Sequence, residues 1–296
     1  MGRVIVVGDD HHRLSLKNKQ VIAEPRASDY EVRTAPCEDL DLILVDSTKG
    51  CALDTHLIRQ LVESRTVVVF TDTKHVPAAL LVPFNVALDS GAVNVLQFEQ
   101  SKPRRKRAWQ QLIQAKIRGQ AIVVSNKTAS KRLTSLAESV KSGDPDNVEA
   151  TAARLYWHHL EEPDFHRIPR SRTGLNGLLD FGYAVVRSLL ARELVIAGLD
   201  PSIPIHHSSR VNRLALCDDL IEPIRPFVDR HALQVAEAGG DHRDMIKVVH
   251  SAATNDDLRG DLSDCIGRFV ASYKRYVTGS TNTLDIPRID VDGTDE

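Results

Sequence analysis

The spacing of apolar residues changes once along this chain, near residue 105, and that change divides what it can fold into. Before it, short β-branched runs alternate with turn signals: 4–7, 14–16, 21–23, 42–45 and 67–70, separated by breaks such as Gly8-Asp9-Asp10 and Lys17-Asn18-Lys19. Between the last two runs, Leu57, Ile58, Leu61 and Val62 recur at helical spacing and predict one short amphipathic helix. Pro77 and Pro83 punctuate the exit from this region. Beyond residue 105, Trp109, Leu112, Ile113 and Ile117 form a helical stripe, and Leu133, Leu136 and Val140 form another. Residues 176–197 are long and apolar and stop at Gly198, as a helix should. Helical patterns follow at 213–230, 244–251 and 262–276. The reading is α+β: a small β-rich N-terminal domain over 1–84, a larger all-α C-terminal domain over 100–277, and an acidic, flexible tail over 278–296.

No apolar run approaches the roughly 20 residues of a membrane helix. The run Arg3-Val4-Ile5-Val6-Val7 reads as a strand rather than a signal peptide, so the chain is expected to be cytoplasmic, in a prokaryote by the resemblance drawn below. Cys37, Cys51, Cys217 and Cys265 form no C-x-x-C pair, which argues against a zinc knuckle or a disulfide framework. The net charge of −2 hides a segregation. Lys+Arg against Asp+Glu number 10 and 14 over residues 1–100, 17 and 10 over 101–200, and 11 and 16 over 201–296, so a +7 middle lies between flanks of −4 and −5. Local field rather than total charge attracts a phosphate backbone.

Three polar side chains, distant in sequence, lie in segments otherwise built for a helical core: Glu149, His207 and Glu222. Two carboxylates and an imidazole are the donors that a divalent metal working on phosphate oxygens needs. Glu149 also has a purely structural explanation, since with Asp146 as N-cap it would close a capping box. Against that, Ala150, Ala152 and Ala153 leave room on its helix face. His207 stands in a loop between two strong helices, a place where rigid scaffolds present functional groups. Asp219 and Glu222 are three residues apart, and Asp218 and Glu222 four, so the acids can share a face. Pro223 and Pro226 should kink that helix, and Arg225 and Arg230 are bases that could neutralise its acids structurally. The basic run Lys102, Arg104, Arg105, Lys106 and Arg107, with Lys116 further along the helix, reads as a solvated linker or as a phosphate-binding edge. Arg170 and Arg172, just before the long helix, are candidates for the same role. His11-His12 and His158-His159 read as surface residues.

Taken in order, these segments resemble the CRISPR-associated spacer-integration endonuclease, the universal "protein one" of those systems, in the short version found beside type II effector nucleases. The resemblance is carried by Leu14-Ser15-Leu16-Lys17-Asn18, by Asp72-Thr73-Lys74-His75-Val76-Pro77, and by Ser101-Lys102-Pro103 with Trp109-Gln110-Gln111-Leu112. It continues in Gly143-Asp144-Pro145-Asp146-Asn147-Val148-Glu149-Ala150, Leu175-Asn176-Gly177-Leu178-Leu179-Asp180, and Asp219-Leu220-Ile221-Glu222-Pro223-Ile224-Arg225-Pro226. Gly177 and Trp157 depart from the family pattern, which has alanine and phenylalanine there, and neither is a proposed ligand.

The resemblance implies that Glu149, His207 and Glu222 are catalytic residues and ligands of magnesium or manganese, with Asp219 as supporting acid and the adjacent His206 as a rival for the histidine. It implies that the all-α region is the catalytic domain, and that a 3′-hydroxyl attacks a phosphodiester to insert short DNA fragments into a CRISPR repeat array. The implied partners are duplex DNA with single-stranded 3′ ends, CRISPR repeat DNA, a second copy of the chain joined through the N-terminal domains, and a dimer of the small "protein two". The type II effector nuclease is a further candidate, and no membrane is involved. Two other readings compete: a free-standing metal-dependent nuclease for branched or damaged DNA, and a non-enzymatic DNA-binding scaffold.

Overall fold

The computed structural model describes residues 3–27, 31–72, 77–83, 87, 89–160, 165–169, 171, 173–207, 211–242, 244–245 and 262–288. The chain forms two compact units, residues 1–88 and 89–296, strand-rich in the first and helical in the second.

The first unit carries two four-stranded sheets. One has the order β1 (Arg3–Val7), β5 (Leu40–Val45), β7 (Val67–Thr71), β8 (Pro77–Leu81), with the first three parallel and β8 antiparallel. The other has the order β4 (Arg33–Pro36), β3 (Gln20–Pro25), β2 (His11–Lys17), β6 (Ala52–Leu53). The β2–β3 hairpin turns at Asn18 and Lys19, both at positive φ of 51° and 59° as a two-residue hairpin turn requires. Parallel β5 and β7 need a crossover, and α1 (Thr55–Glu63) supplies it. Asp54 starts α1 by accepting from the His56 amide at 2.7 Å. Leu57 and Leu61 of α1 join Ile43, Val45 and Val68 in the core, whereas Val62 stays exposed.

All five strand runs of the sequence are strands here, and β4, β6 and β8 are additional. Pro77 begins β8 rather than marking the exit from the sheets, a position open to proline because β8 is an edge strand. His11 corrects another expectation: it is buried and lies 3.1 Å from the Asp10 carboxylate.

The second unit is built around α3 (Lys102–Val123), which packs against α4 (Lys127–Ser139), α5 (Val148–Leu160) and α8 (Arg225–Glu237). Helix α2 (Ser90–Phe98) precedes it, and α6 (Gly174–Ala197) packs on α8 and on α9 (Leu262–Val277). Trp109, Leu112, Ile113 and Ile117 are all buried, so the predicted stripe of α3 is its core face. Gly198, at φ 79°, ends α6 as expected, with the Leu199 amide reaching back to the Leu194 carbonyl at 2.9 Å. Gly182 lets α6 approach α8 closely: a Cβ there would stand 2.6 Å from Val228 Cγ1.

The helix expected over 213–230 with a kink at its prolines is broken in three. Helix α7 (Ala215–Leu220) ends before a 3-10 turn, Glu222–Ile224, and α8 starts at Arg225. Pro223 cannot donate within the turn, and Pro226 lies in the first turn of α8, where its missing amide costs nothing. The tail is not free over its first ten residues. The Leu284 amide donates to Gln111 Oε1 at 2.8 Å and the Asp285 amide to Ser272 Oγ at 2.7 Å. The helical pattern at 244–251 lies almost wholly outside the described residues, as do positions 289–296 of the tail.

Candidate active site

Helix α3 supplies the floor of the site. Trp109 and Lys116 are seven residues, about two turns, apart on its buried face. A lysine on an apolar stripe must find counter-charges, since a buried unpaired ammonium is costly. Lys116 finds two: its Nζ lies 2.6 Å from Glu149 Oε1 and 2.5 Å from Glu222 Oε2. Burial opposes the ammonium's charge, yet the two carboxylates outweigh it and hold its pKa above the ordinary value. Lys116 is therefore part of the site and not of a phosphate-binding surface.

Glu149 reaches Lys116 from the first turn of α5. The capping-box alternative does not hold. Asp144, not Asp146, caps the helix, accepting from the Val148 and Glu149 amides at 2.9 and 3.0 Å. Asp146 pairs with Lys141 on the surface instead. With the backbone amides satisfied by Asp144, the Glu149 side chain is left for Lys116.

Glu222 is presented by the 3-10 turn and is buried. Burial alone would raise its carboxyl pKa; Arg225 and Lys116 reverse this and bring it down to about 2. Arg225 Nε donates to Oε1 at 2.9 Å. Oε2 forms the ion pair with Lys116. Asp218 faces elsewhere and is held by Arg187 of α6 at 2.6 Å.

His207 is fixed by Asp219, which is wholly buried on α7. Asp219 accepts from the amides of Ile205, His206 and His207 at 2.6, 2.9 and 3.2 Å, and its Oδ1 lies 2.5 Å from His207 Nδ1. That contact raises the imidazole pKa against the opposing effect of burial, and the charges of Glu222 and Glu149 add to it. A carboxylate on Nδ1 orients the ring and leaves Nε2 as the free donor, an arrangement common for metal-binding histidines. The His206 ring stacks on Trp109 at 4.3 Å, whereas His207 meets the same indole edge-on at 5.5 Å. Of the two histidines, His207 is the one whose ring is held by a carboxylate.

The structure thus brings Glu149 and Glu222 onto one point, with His207 within reach of their field. Among the described residues, no group of three histidine, cysteine, aspartate or glutamate side chains could hold a metal ion as they stand. The donor chemistry nonetheless suits a hard divalent cation: two carboxylates that already close on one cation, and an imidazole positioned through its other nitrogen.

The remaining basic candidates separate. Lys102, Lys106 and Arg107 are exposed. Arg104 is structural: its guanidinium donates to the carbonyls of Tyr276 and Thr281 at 2.5 and 2.7 Å and lies 4.2 Å above the Tyr276 ring. Arg105 is structural too, donating to the Phe98 carbonyl at the end of α2 at 2.6 Å. Arg170 and Arg172 lie outside the described residues.

Two features have no counterpart in the sequence reading. Gln97 is buried on α2 and pins the histidine loop, donating to the carbonyls of Asp200 and Ile203 at 2.8 and 3.1 Å and accepting from the Asp200 amide at 3.0 Å. Asp229 of α8 is buried and accepts from Tyr156 at 2.8 Å and from Tyr183. The only signal for Lys116 was its register on the stripe of Trp109 and Ile113; nothing marks Gln97 or Asp229 locally.

A family model described as CRISPR associated protein Cas1 matches residues 5–260. The chain is 30% identical to the CRISPR-associated endonuclease Cas1 of Neisseria meningitidis serogroup C (strain 8013), over 94% of this chain and 93% of the relative. Its fold is similar to that of a casposase bound to integration product, with a TM-score of 0.80 and 20% identity over 99% of this chain and 96% of the other. It is also similar in fold to part of a Cas6-RT-Cas1–Cas2 complex, with a TM-score of 0.74 and 16% identity over 99% of this chain and 36% of that one.

Proposed function

The chain belongs to the CRISPR-associated Cas1 family, and on that premise we propose that it is a divalent-metal-dependent DNA integrase and endonuclease. Its reaction inserts short DNA fragments into a CRISPR repeat array. The 3′-hydroxyl of the incoming fragment attacks a repeat phosphodiester; a new O–P bond forms, and the displaced repeat strand leaves with its own 3′-hydroxyl. Water in place of that hydroxyl gives strand cleavage from the same site. The convergence of Glu149 and Glu222 on one cation, beside an imidazole held by Asp219, carries this reading. The shared fold with a casposase bound to integration product favours strand transfer over free-standing hydrolysis.

Glu149, Glu222 and His207 would hold magnesium or manganese, which when bound supplies Lewis-acid stabilisation of charge on the phosphate oxygens. Asp219 keeps the His207 ring from rotating, and Arg225 compensates the buried Glu222. Trp109 closes the floor beneath both histidines against water. Lys102, Lys106 and Arg107 form an exposed edge that fits a DNA backbone, with Arg170 and Arg172 assigned to the same role on sequence grounds. Partners in this reading are duplex DNA with single-stranded 3′ ends, CRISPR repeat DNA, a second copy of the chain joined through the strand-rich unit, and the small CRISPR-associated protein two. Similarity to part of a Cas6-RT-Cas1–Cas2 complex supports the last of these.

Glu149→Ala is the direct test. The variant should lose strand transfer by at least about a hundredfold while binding duplex as well as the wild type. Strand transfer at normal rates would remove the carboxylate from the chemistry.

A further inference from the structure

We propose that Lys116 is a positioning residue that competes with the divalent metal: its ammonium stands in for the metal between Glu149 and Glu222 and must withdraw for the metal to bind. This rests on reading the site as a metal centre and adds a resident competitor to it.

Two carboxylates facing one point, one of them buried, would repel each other or take up a proton if left without a cation. The chain supplies its own, 2.6 Å from Glu149 and 2.5 Å from Glu222. A divalent ion bound to the same oxygens at about 2.1 Å could not share that point with an ammonium.

The two cations on Glu222 are suited to different fates. Arg225 is anchored, donating to Oε1 at 2.9 Å while its guanidinium lies 4.5 Å above the Tyr183 ring. Lys116 donates to Glu149 Oε1 at 2.6 Å and lies 2.5 Å from Glu222 Oε2, with no ring or carbonyl among the described residues to brace it there, on a four-carbon stem whose rotamers let the head swing away. Arg225 therefore stays and Lys116 is the one released. The consequence is a site assembled before metal arrives, at the expense of metal affinity.

The test is a manganese titration of the full chain, followed by calorimetry and by thermal shift in parallel. Lys116→Met should melt lower than the wild type in chelator, bind manganese about tenfold or more tightly, and show the larger metal-induced rise in Tm. Lys116→Arg keeps the charge and should bind manganese no more tightly than the wild type. Should the methionine variant fail to fold, wild-type protein labelled with ¹⁵N-lysine decides the matter. Its Lys116 ammonium protons should be protected without metal and should exchange rapidly at saturating magnesium. Equal or weaker manganese binding by Lys116→Met, or a Lys116 resonance indifferent to magnesium, overturns the competition and leaves the metal centre standing. If the wild type binds no more manganese than the Glu149→Ala/Glu222→Ala double variant, the metal centre and the competition fall together.

Discussion

Asp219 has no exposed surface, and its carboxylate gathers four donors: the amides of Ile205, His206 and His207, and the imidazole of His207. One buried acid thereby fixes both the path of the loop and the orientation of its functional ring. Asp219→Asn preserves the shape but replaces one acceptor oxygen with a donor among donors. Charge-assisted bonds to a buried carboxylate contribute about 1.5–3 kcal/mol each, so a fall in Tm of at least about 5 °C is expected. The more specific readout is the His207 titration, followed by NMR in metal-free protein. Asp219 holds that pKa above its ordinary value, so the variant should lower it, whereas an unchanged titration would show that Asp219 acts on the loop backbone alone. From the sequence, Asp219 was recognisable as an acid able to share a helix face with Glu222 and, by the resemblance, as a supporting acid. That it serves three amides follows from the loop folding over α7.

At the scale of one helix, α3 shows how a run of like residues acquires unlike roles. Lys102, Arg104, Arg105, Lys106 and Arg107 look like one basic patch, but helical geometry turns each residue about 100° from the last. Arg104 and Arg105 point into the fold and bind carbonyls at the ends of α9 and α2, while Lys106 and Arg107 face solvent. Arg104→Ala should therefore destabilise the protein by about 1.5–3 kcal/mol, expose the segment after Val277 to proteases, and leave DNA affinity nearly unchanged. Lys106→Ala with Arg107→Ala should do the opposite. Melting stays put, while the plot of log K against log salt for duplex binding becomes shallower by about 2. A loss of stability in the second variant without a change in salt slope would remove this edge from the DNA-binding surface. The start of α5 teaches a similar lesson. Asp144 and Asp146 both fit a cap by composition, and the turn at Asp144 and Asn147, with φ of 47° and 50°, selects Asp144.

Across the helical unit, Asp229 ties three helices through the hydroxyls of Tyr156 on α5 and Tyr183 on α6. Burial raises its carboxyl from 3.8 to about 6, despite the two hydroxyl bonds and the charge of Arg225. A folded-state pKa above the unfolded one gives stability that is fully present below about 3.8 and is lost as pH rises through about 6. Glu222 runs the other way: lowered from 4.5 to about 2, it stabilises above about 4.5 and loses that contribution as pH falls toward 2. Urea denaturation of wild type and Asp229→Asn between pH 4 and pH 7 should isolate the first effect. The wild type should lose on the order of 3 kcal/mol relative to the variant over that interval, most of it by pH 6. A pH-independent difference would mean that Asp229 keeps one charge state throughout. The existence of a strand-to-helix change, read near residue 105 but lying between Leu81 and Ser90, the stop at Gly198 and the stripe of α3 were open to reading because periodicity and turn chemistry act over a few neighbouring residues. The family signature likewise survives in short local segments. Which cation meets which acid was not open in that way. Lys116 and Glu149 are 33 positions apart, and Tyr156 and Asp229 are 73 apart, so only the packing of whole helices brings them together. Sequence alone marked Glu149, Glu222, His207 and Asp219 as candidates; tertiary structure decided that the two glutamates share a lysine and that Asp219 holds the histidine, because the energy of a buried charge depends on what surrounds it in space.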